Sequence, residues 1–290
     1  MLFAAFCISV AGACSKVLSK RLSPMEVVFL RNIFGVLYVI WLIYKKPLVQ
    51  KGGRTGLLFF RGFLGALAIL ANFYTIIHIG LAEAITYQQS YPIFLSLISV
   101  YFLKKSINRN EWLAILLGFG GICFIFFPQF KINAGSVQDH SIGIFYSVIA
   151  AIAYLSIAEL SKFYEQKAIV LVFMSVGVLM PTFLMIIGLI FHLNNPTFLF
   201  SPPLLPIGIE WIQIVVLGFT ALLGQIHLTK AFSIGQASAL SAVGYSQIVF
   251  SLFLGALIGD AFPSYWSFFG ILFIIISGIL IAFKKNSQNV

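Results

Sequence analysis

Apolar positions in this sequence neither alternate nor form one-sided stripes. They run on over bilayer length, segment after segment. Ten such runs are read: Leu2–Leu18, Pro24–Tyr44, Leu57–Ile79, Leu81–Leu103, Trp112–Phe127, Ile142–Phe163, Ala168–His192, Trp211–Phe232, Ala237–Gly259 and Tyr265–Phe283. At about 17–25 residues each, a run suits a helix crossing ~30 Å of hydrocarbon. Strands of a membrane barrel would be shorter and would alternate, so a barrel is not expected. Polar residues collect between the runs. Ile79-Gly80 and Ile234-Gly235 are the tightest connections, and each glycine is placed to end a helix. The longest are Lys45–Arg54, Gln129–His140 and Asn194–Ile209, the last rich in Pro and Asn.

Composition sharpens this picture. The chain is 60% hydrophobic and only 9% charged, with a mean hydropathy of +1.03. A soluble domain carries about a quarter charged residues, so lipid must be the solvent here. A net charge of +10 would suggest nucleic acid in a soluble protein. Here Lys and Arg sit in short clusters between apolar runs, where they set orientation instead, and no nucleic-acid partner is expected. With the N-terminus in the cytoplasm, the inner side holds Lys45, Lys46, Lys51, Arg54, Lys104, Lys105, Arg109, Lys162, Lys167, Lys230, Lys284 and Lys285. The outer side then holds only Lys20, Arg21 and Lys131. The bias predicts a multi-pass inner (plasma) membrane protein with both termini cytoplasmic, including a short tail over residues 284–290. The first run lacks a preceding basic region and reads as a retained helix rather than a signal peptide. Cys7, Cys14 and Cys123 lie inside apolar runs without metal-ligand spacing, so neither a metal nor a cofactor is expected.

The two halves resemble each other. Under a shift of 155 residues, Gly80-Leu81-Ala82-Glu83-Ala84 lies over Gly235-Gln236-Ala237-Ser238-Ala239. In the same frame Ala66-Leu67 meets Ala221-Leu222, Ile79 meets Ile234, Ile93 meets Ile248, and Ser96-Leu97 meets Ser251-Leu252. The predicted units are residues 1–128 and 141–283, each with five runs. An odd number inverts the second unit relative to the first. The expected fold is therefore an all-α membrane protein of ten transmembrane helices in two inverted five-helix repeats, an arrangement typical of secondary transporters.

Several stretches stand out as motifs. In the first half these are Glu26-Val-Val-Phe-Leu-Arg31, Phe60-Arg61-Gly62-Phe63-Leu64-Gly65, Ile79-Gly80-Leu81-Ala82-Glu83-Ala84, Ser90-Tyr91-Pro92-Ile93-Phe94 and the glycines of Gly118–Gly121. In the second half they are Lys230-Ala231-Phe232, Gly235 to Ala239, Gly259-Asp260 and Gly270 to Gly278. In their order and spacing these stretches resemble the EamA family of the drug/metabolite transporter superfamily. The resemblance implies ten helices, inverted repeats, a central pocket open to one side at a time, and a metabolite cargo. That cargo is amino-acid-like, nucleoside-like or a vitamin; the Arg61-Gly62 pair and the Ile-Gly-x-Ala turn look most like members carrying S-adenosylmethionine or riboflavin. Members of the family usually carry a Glu shortly after the fourth helix. Here Lys104-Lys105-Ser106 stands there, while Asp260 keeps an acid at the matching place of the second half.

Polar residues within the runs are the candidates for cargo contact. Run four carries Tyr87, Gln88 and Tyr91 beside Gln89, Ser90 and Pro92, and run nine carries Tyr245 and Gln247 beside Ser241, Gly244 and Ser246. Such residues cannot face lipid cheaply, and Pro92 predicts a kink. Asn72 and Tyr74 in run three, with Gln225 and His227 in run eight, are expected on opposite walls of one cavity. Packing between helices is the competing reading for all of them. Glu83, Glu159, Arg31 and Arg61 are candidates for coupling or charge pairing, since intramembrane charge is costly. Glu83 also suits a helix N-terminus, and Glu159 an i,i+3 pair with Lys162. The arginines suit either an anchoring pair or an anionic group of lipid or substrate.

A secondary transporter is the expected function, with a small-molecule substrate, the lipid bilayer and either protons or a counter-substrate as partners; a homodimer is left open. The alternatives are a lipid-handling membrane enzyme and a channel. The sequence lacks H-E-x-x-H, G-x-S-x-G and a phosphate-cradling G-x4-G-K loop, so no enzyme is expected, and no selectivity-filter pattern stands out.

Overall fold

A computed structural model describes residues 1–49, 52–101, 109–126, 137–190, 204–234, 240, 243–260 and 262–284. The helices among them are α1 Leu2–Leu18, α2 Pro24–Lys45, α3 Thr55–Ile79, α4 Leu81–Gln89, α5 Tyr91–Tyr101 and α6 Arg109–Phe126, followed by α7 Val137–Leu160, α8 Gln166–Ile190, α9 Glu210–Ile234, α10 Ser246–Leu257 and α11 Tyr265–Lys284. The described residues contain no strand, as the continuous apolar runs predict. Five helices, α2, α3, α7, α8 and α9, are long and apolar enough to cross a bilayer. Shorter apolar helices cover Leu2–Leu18, Trp112–Ile125, Ser246–Leu257 and Tyr265–Ser277. The protein is an all-α, multi-pass membrane protein.

Local chemistry sets the helix ends. Ser23 caps α2, its hydroxyl accepting from the Glu26 amide at 3.2 Å, and Pro24 follows at the first helical position. Gly80, at φ +107°, stops α3 and starts α4 in one step, a conformation a side chain would strain. Expected run four is broken rather than merely kinked. Ser90 interrupts the ladder between α4 and α5, with i→i+3 bonds from Ser90 N–H to Tyr87 O and from Ile93 N–H to Ser90 O, each 3.1 Å. The start of α7 lies earlier than expected, so Asp139 and His140 are helical rather than part of a loop. The turn at Gly235–Ala239, Ser241, the basic Lys104-Lys105 pair, Lys51, Lys131, Lys285 and most of the Asn194–Ile209 stretch lie outside the described residues.

Packing runs across the halves. The main partners are α6 with α11, α1 with α9, α3 with α7, and α2 with α8. Further contacts join α3 to α8, α1 to α10, α4 to α10, and both α4 and α5 to α7. Small residues let backbones approach. A methyl on Gly121 would stand 2.7 Å from the Gly270 carbonyl, which fixes the α6–α11 crossing. Between α2 and α8 the device is polar. Pro181 lies inside α8 and offers no N–H to the Gly177 carbonyl one turn back. Asn32 of α2 fills that gap: its Nδ2 donates to Gly177 O at 3.3 Å and to Val28 O at 2.8 Å. Outward faces are apolar, with Leu37, Trp41, Phe63, Leu113, Phe183 and Phe219 exposed. In lipid that is the favoured side for them.

Candidate functional site

A partly enclosed cavity of about 70 Å³ lies between the halves. Its walls come from α1 (Ile8), α2 (Arg31), α3 (Arg61, Gly65, Asn72), α4 (Gln88), α7 (Tyr146, Tyr154), α8 (Phe173) and α9 (Gln225). On this measure one water needs about 10–15 Å³, so the cavity has room for a few waters and must widen to hold a metabolite.

The cationic side groups sit on neighbouring helices of the first half. Arg31 is 8% exposed and Arg61 3% exposed. Arg61 Nε and Nη1 are buried with no hydrogen-bond partner among the described residues, and so is Asn72 Oδ1. The guanidiniums find aromatic faces instead: Arg61 lies 4.9 Å from the Phe173 ring centroid and Arg31 6.0 Å from that of Phe73. Gly65 makes space for this stack, because a methyl there would collide with Arg61 Nη1 and the Phe173 ring.

An amide network borders the cavity where the helices break. Gln88 donates from Nε2 to Tyr154 OH at 3.1 Å and accepts from Gln247 Nε2 at 3.2 Å. Gln89 Nε2 donates to Gly244 O at 2.5 Å and to Gln247 Oε1 at 3.1 Å. Carbonyls near each break are also met by serines of the opposite half: Ser9 Oγ donates to Gln247 O at 3.2 Å, and Ser147 Oγ to Tyr87 O. Below the cavity, Tyr154 stacks on Phe232 at 4.8 Å and 5°, with Tyr91 edge-on to Tyr154 at 4.7 Å. Phe232 adjoins Ser233, which lines an open hollow of about 520 Å³ with Val49, Ser161, Tyr164, Gln166 and Lys167. The loops at this end are tied together: Val49 N–H donates to Glu165 at 2.7 Å and Gly52 N–H to Phe163 O at 3.2 Å. The bond from Val49 and that from Lys167 hold the Glu165 carboxyl below its usual range.

The sequence candidates divide as follows. Arg31, Arg61, Asn72, Gln88 and Gln225 line the cavity. Gln247 belongs to the amide network. Tyr91 supports the wall, and Tyr245 is buried beside it with its hydroxyl unpartnered among the described residues. Tyr87 turns toward α7, its hydroxyl 2.9 Å from His140 Nδ1. Tyr74 donates to Asp139 at 2.7 Å and stacks on His78, while His227 is exposed with Nδ1 2.8 Å from Leu223 O. Glu159 lies at the hollow's end, paired with Lys162 at 2.6 Å and Arg54 at 3.0 Å. Glu83 shares a small pocket with Asp260. Asp260 pairs with Lys16 at 2.6 Å and accepts the Leu81 amide of the α4 N-terminus at 3.2 Å. Tyr146, Tyr154 and Phe173 are site residues the sequence reading missed. Each is one aromatic among many in an apolar run, and only Arg31 and Arg61 hinted that rings must gather near them.

At the far end, Arg21 binds Glu210 through both guanidinium nitrogens Nε and Nη2, and Glu26 accepts the Leu204 amide at 3.1 Å. The bond from Arg21 draws the Glu210 carboxyl down to about 2.

Residues 1–127 match the EamA-like transporter family. An uncharacterized transporter of Helicobacter pylori is 31% identical, over 97% of this chain and 93% of that protein. The pseudopaline exporter CntI of Pseudomonas aeruginosa is 30% identical over 98% and 94%, and the S-adenosylmethionine uptake transporter of Rickettsia felis 25% over 94% and 87%. A crystal structure at 16% identity superposes over 98% of this chain and 96% of its own with a TM-score of 0.64, a shared fold. The chain belongs to the EamA-like transporter family, of the drug/metabolite transporter type.

Proposed function

We propose that this protein is a secondary transporter that carries a small metabolite across the inner membrane by alternating access between two inverted five-helix repeats, residues 1–128 and 141–283. The carrying observation is a partly enclosed cavity with polar lining between the halves, edged by interrupted helices. Such breaks recur at carrier binding sites, because they free backbone groups at mid-membrane.

Three features support the inverted repeat. Shifting by 155 residues takes Ser90, where α4 and α5 part, onto Tyr245, where the ladder breaks before α10. The bond from Ile93 N–H to Ser90 O becomes that from Ile248 N–H to Tyr245 O, at 3.1 and 3.0 Å. Exchanging the halves also returns the packing list: α1 with α9 becomes α7 with α3, while α2 with α8 and α6 with α11 become themselves. On this reading each expected run is one span, α4 and α5 together forming the fourth. The basic end with Lys46, Arg54, Lys162 and Lys167 is cytoplasmic, and the stack of Tyr91, Tyr154 and Phe232 is the inner gate.

Relatives named for export and for uptake share this architecture, so direction follows from gradients and coupling rather than from the fold. The candidate substrate classes are amino-acid-like, nucleoside-like and vitamin metabolites, with S-adenosylmethionine and riboflavin as types among them. The test is uptake into liposomes containing the purified protein. Saturable flux, accelerated by unlabelled substrate on the far side, is expected. Flux that rises linearly without limit would make it a channel and end the carrier reading.

A further inference from the structure

Resting on the transporter reading, we propose that the cargo is an organic anion whose carboxylate or phosphate group binds between Arg31 and Arg61. The inference starts from a scarcity. The chain has only eight Asp and Glu residues. Glu26 accepts the Leu204 amide, Asp139 bonds Tyr74, Glu159 pairs with Arg54 and Lys162, and Glu165 with Lys167 and the Val49 amide. Glu210 binds Arg21, Asp260 binds Lys16, and Glu83 sits in the pocket with Asp260. The eighth, Glu111, stands in the first turn of α6, whose main partner is α11. Among the described residues no carboxylate lines the cavity or pairs with its arginines.

A guanidinium cannot shed its proton to escape burial, and an isolated buried charge is strongly disfavoured. Ring faces at 4.9 and 6.0 Å compensate only partly. The missing negative charge must therefore come with the occupant. Arginine's planar fork suits a carboxylate or phosphate, which can accept several of its N–H groups at once. The facing wall is neutral: Gln88, Gln225, Tyr146 and Tyr154 provide amides and phenols, and Phe173 a ring. The cargo's acidic end is thus held by α2 and α3, and its uncharged remainder by α4, α7, α8 and α9. A metabolite with only cationic groups is rejected.

Binding, rather than flux, tests this. Purified protein in neutral detergent is warmed with dicarboxylates, tricarboxylates, acidic amino acids and sugar phosphates, with the corresponding amides and polyamines as controls. At least one acid should raise the melting temperature by about 4 °C or more at hundredfold excess over its Kd. Its amide should not, and the shift should vanish in Arg61→Gln and Arg31→Gln. Should those variants fail to fold, phenylglyoxal labelling of the wild-type arginines, followed by mass spectrometry, must be slowed by the same acid. Stabilisation by amides or polyamines, or by acids equally well in both variants, overturns the proposal. So does an arginine-dependent shift produced by phosphatidylglycerol and by no soluble acid, which would make the site a lipid headgroup site. Flux separates this from the reading beneath it. Arginine-dependent acid binding without carrier flux sinks the transporter and leaves the anion site standing; saturable flux of a neutral solute, unaffected by both variants, does the reverse.

Discussion

At the two ends of this molecule carboxylates are held in ion pairs, whereas at its centre two arginines have no such partner among the described residues. Lys16 with Asp260, Arg21 with Glu210, and Arg54 and Lys162 with Glu159 are ion pairs at helix ends and loops. Arg31 and Arg61 are more deeply buried than any of these, and neither forms an ion pair with a carboxylate among the described residues. Packing alone would favour the opposite distribution, since an exposed cation needs a partner least. On the proposed reading, the difference separates residues that hold the fold from residues that meet the cargo.

The sharpest way to break that comparison is Arg61→Gln. Losing one partner of a desolvated charge pair should cut transport by about 100-fold or more. The melting temperature should hold or rise, because an uncompensated buried charge is gone. A large loss of stability with normal flux would reverse the assignment. Next is Gln88→Ala, which removes a cavity amide bonded to Tyr154 and Gln247. About a tenfold loss of flux is expected, with membrane insertion intact by accessibility labelling. Lys16→Met should show the other pattern, costing about 1 kcal/mol of stability in denaturant titration with flux close to normal.

The smallest effect is a pH dependence at the far end. The Glu210 carboxyl is held at about 2 against an ordinary 4.5. A depressed carboxylate contributes fully above its ordinary value and loses that contribution as pH falls through its folded value. Protease sensitivity around residues 204–210 should therefore increase between about pH 4.5 and 2. In Glu210→Gln it should be raised already at neutral pH and flat across that window.

Much of this was legible beforehand. Long apolar runs place the helices, because in lipid each must satisfy its own backbone. The glutamines of run four and the two arginines were legible too, since polarity at mid-membrane is costly wherever it occurs. What a linear pattern conceals is rotation. Asn72 and Tyr74, like Gln225 and His227, are two residues apart, which on a helix is about 200°. One of each pair faces the cavity and the other faces away. Tyr87, about 100° from Gln88, meets His140 for the same reason. Tyr146, Tyr154 and Phe173 were invisible because an aromatic ring in an apolar run carries no mark of which neighbour it will touch.

The Asn32 amide seated on the Gly177 carbonyl acts as a registration peg between α2 and α8. Sliding either helix by a single residue would strand a donor and an acceptor at once, each in surroundings too dry to replace the other, at roughly 1–3 kcal/mol apiece. A proline that looks like a flaw in one helix thereby locks it to its neighbour across the two halves.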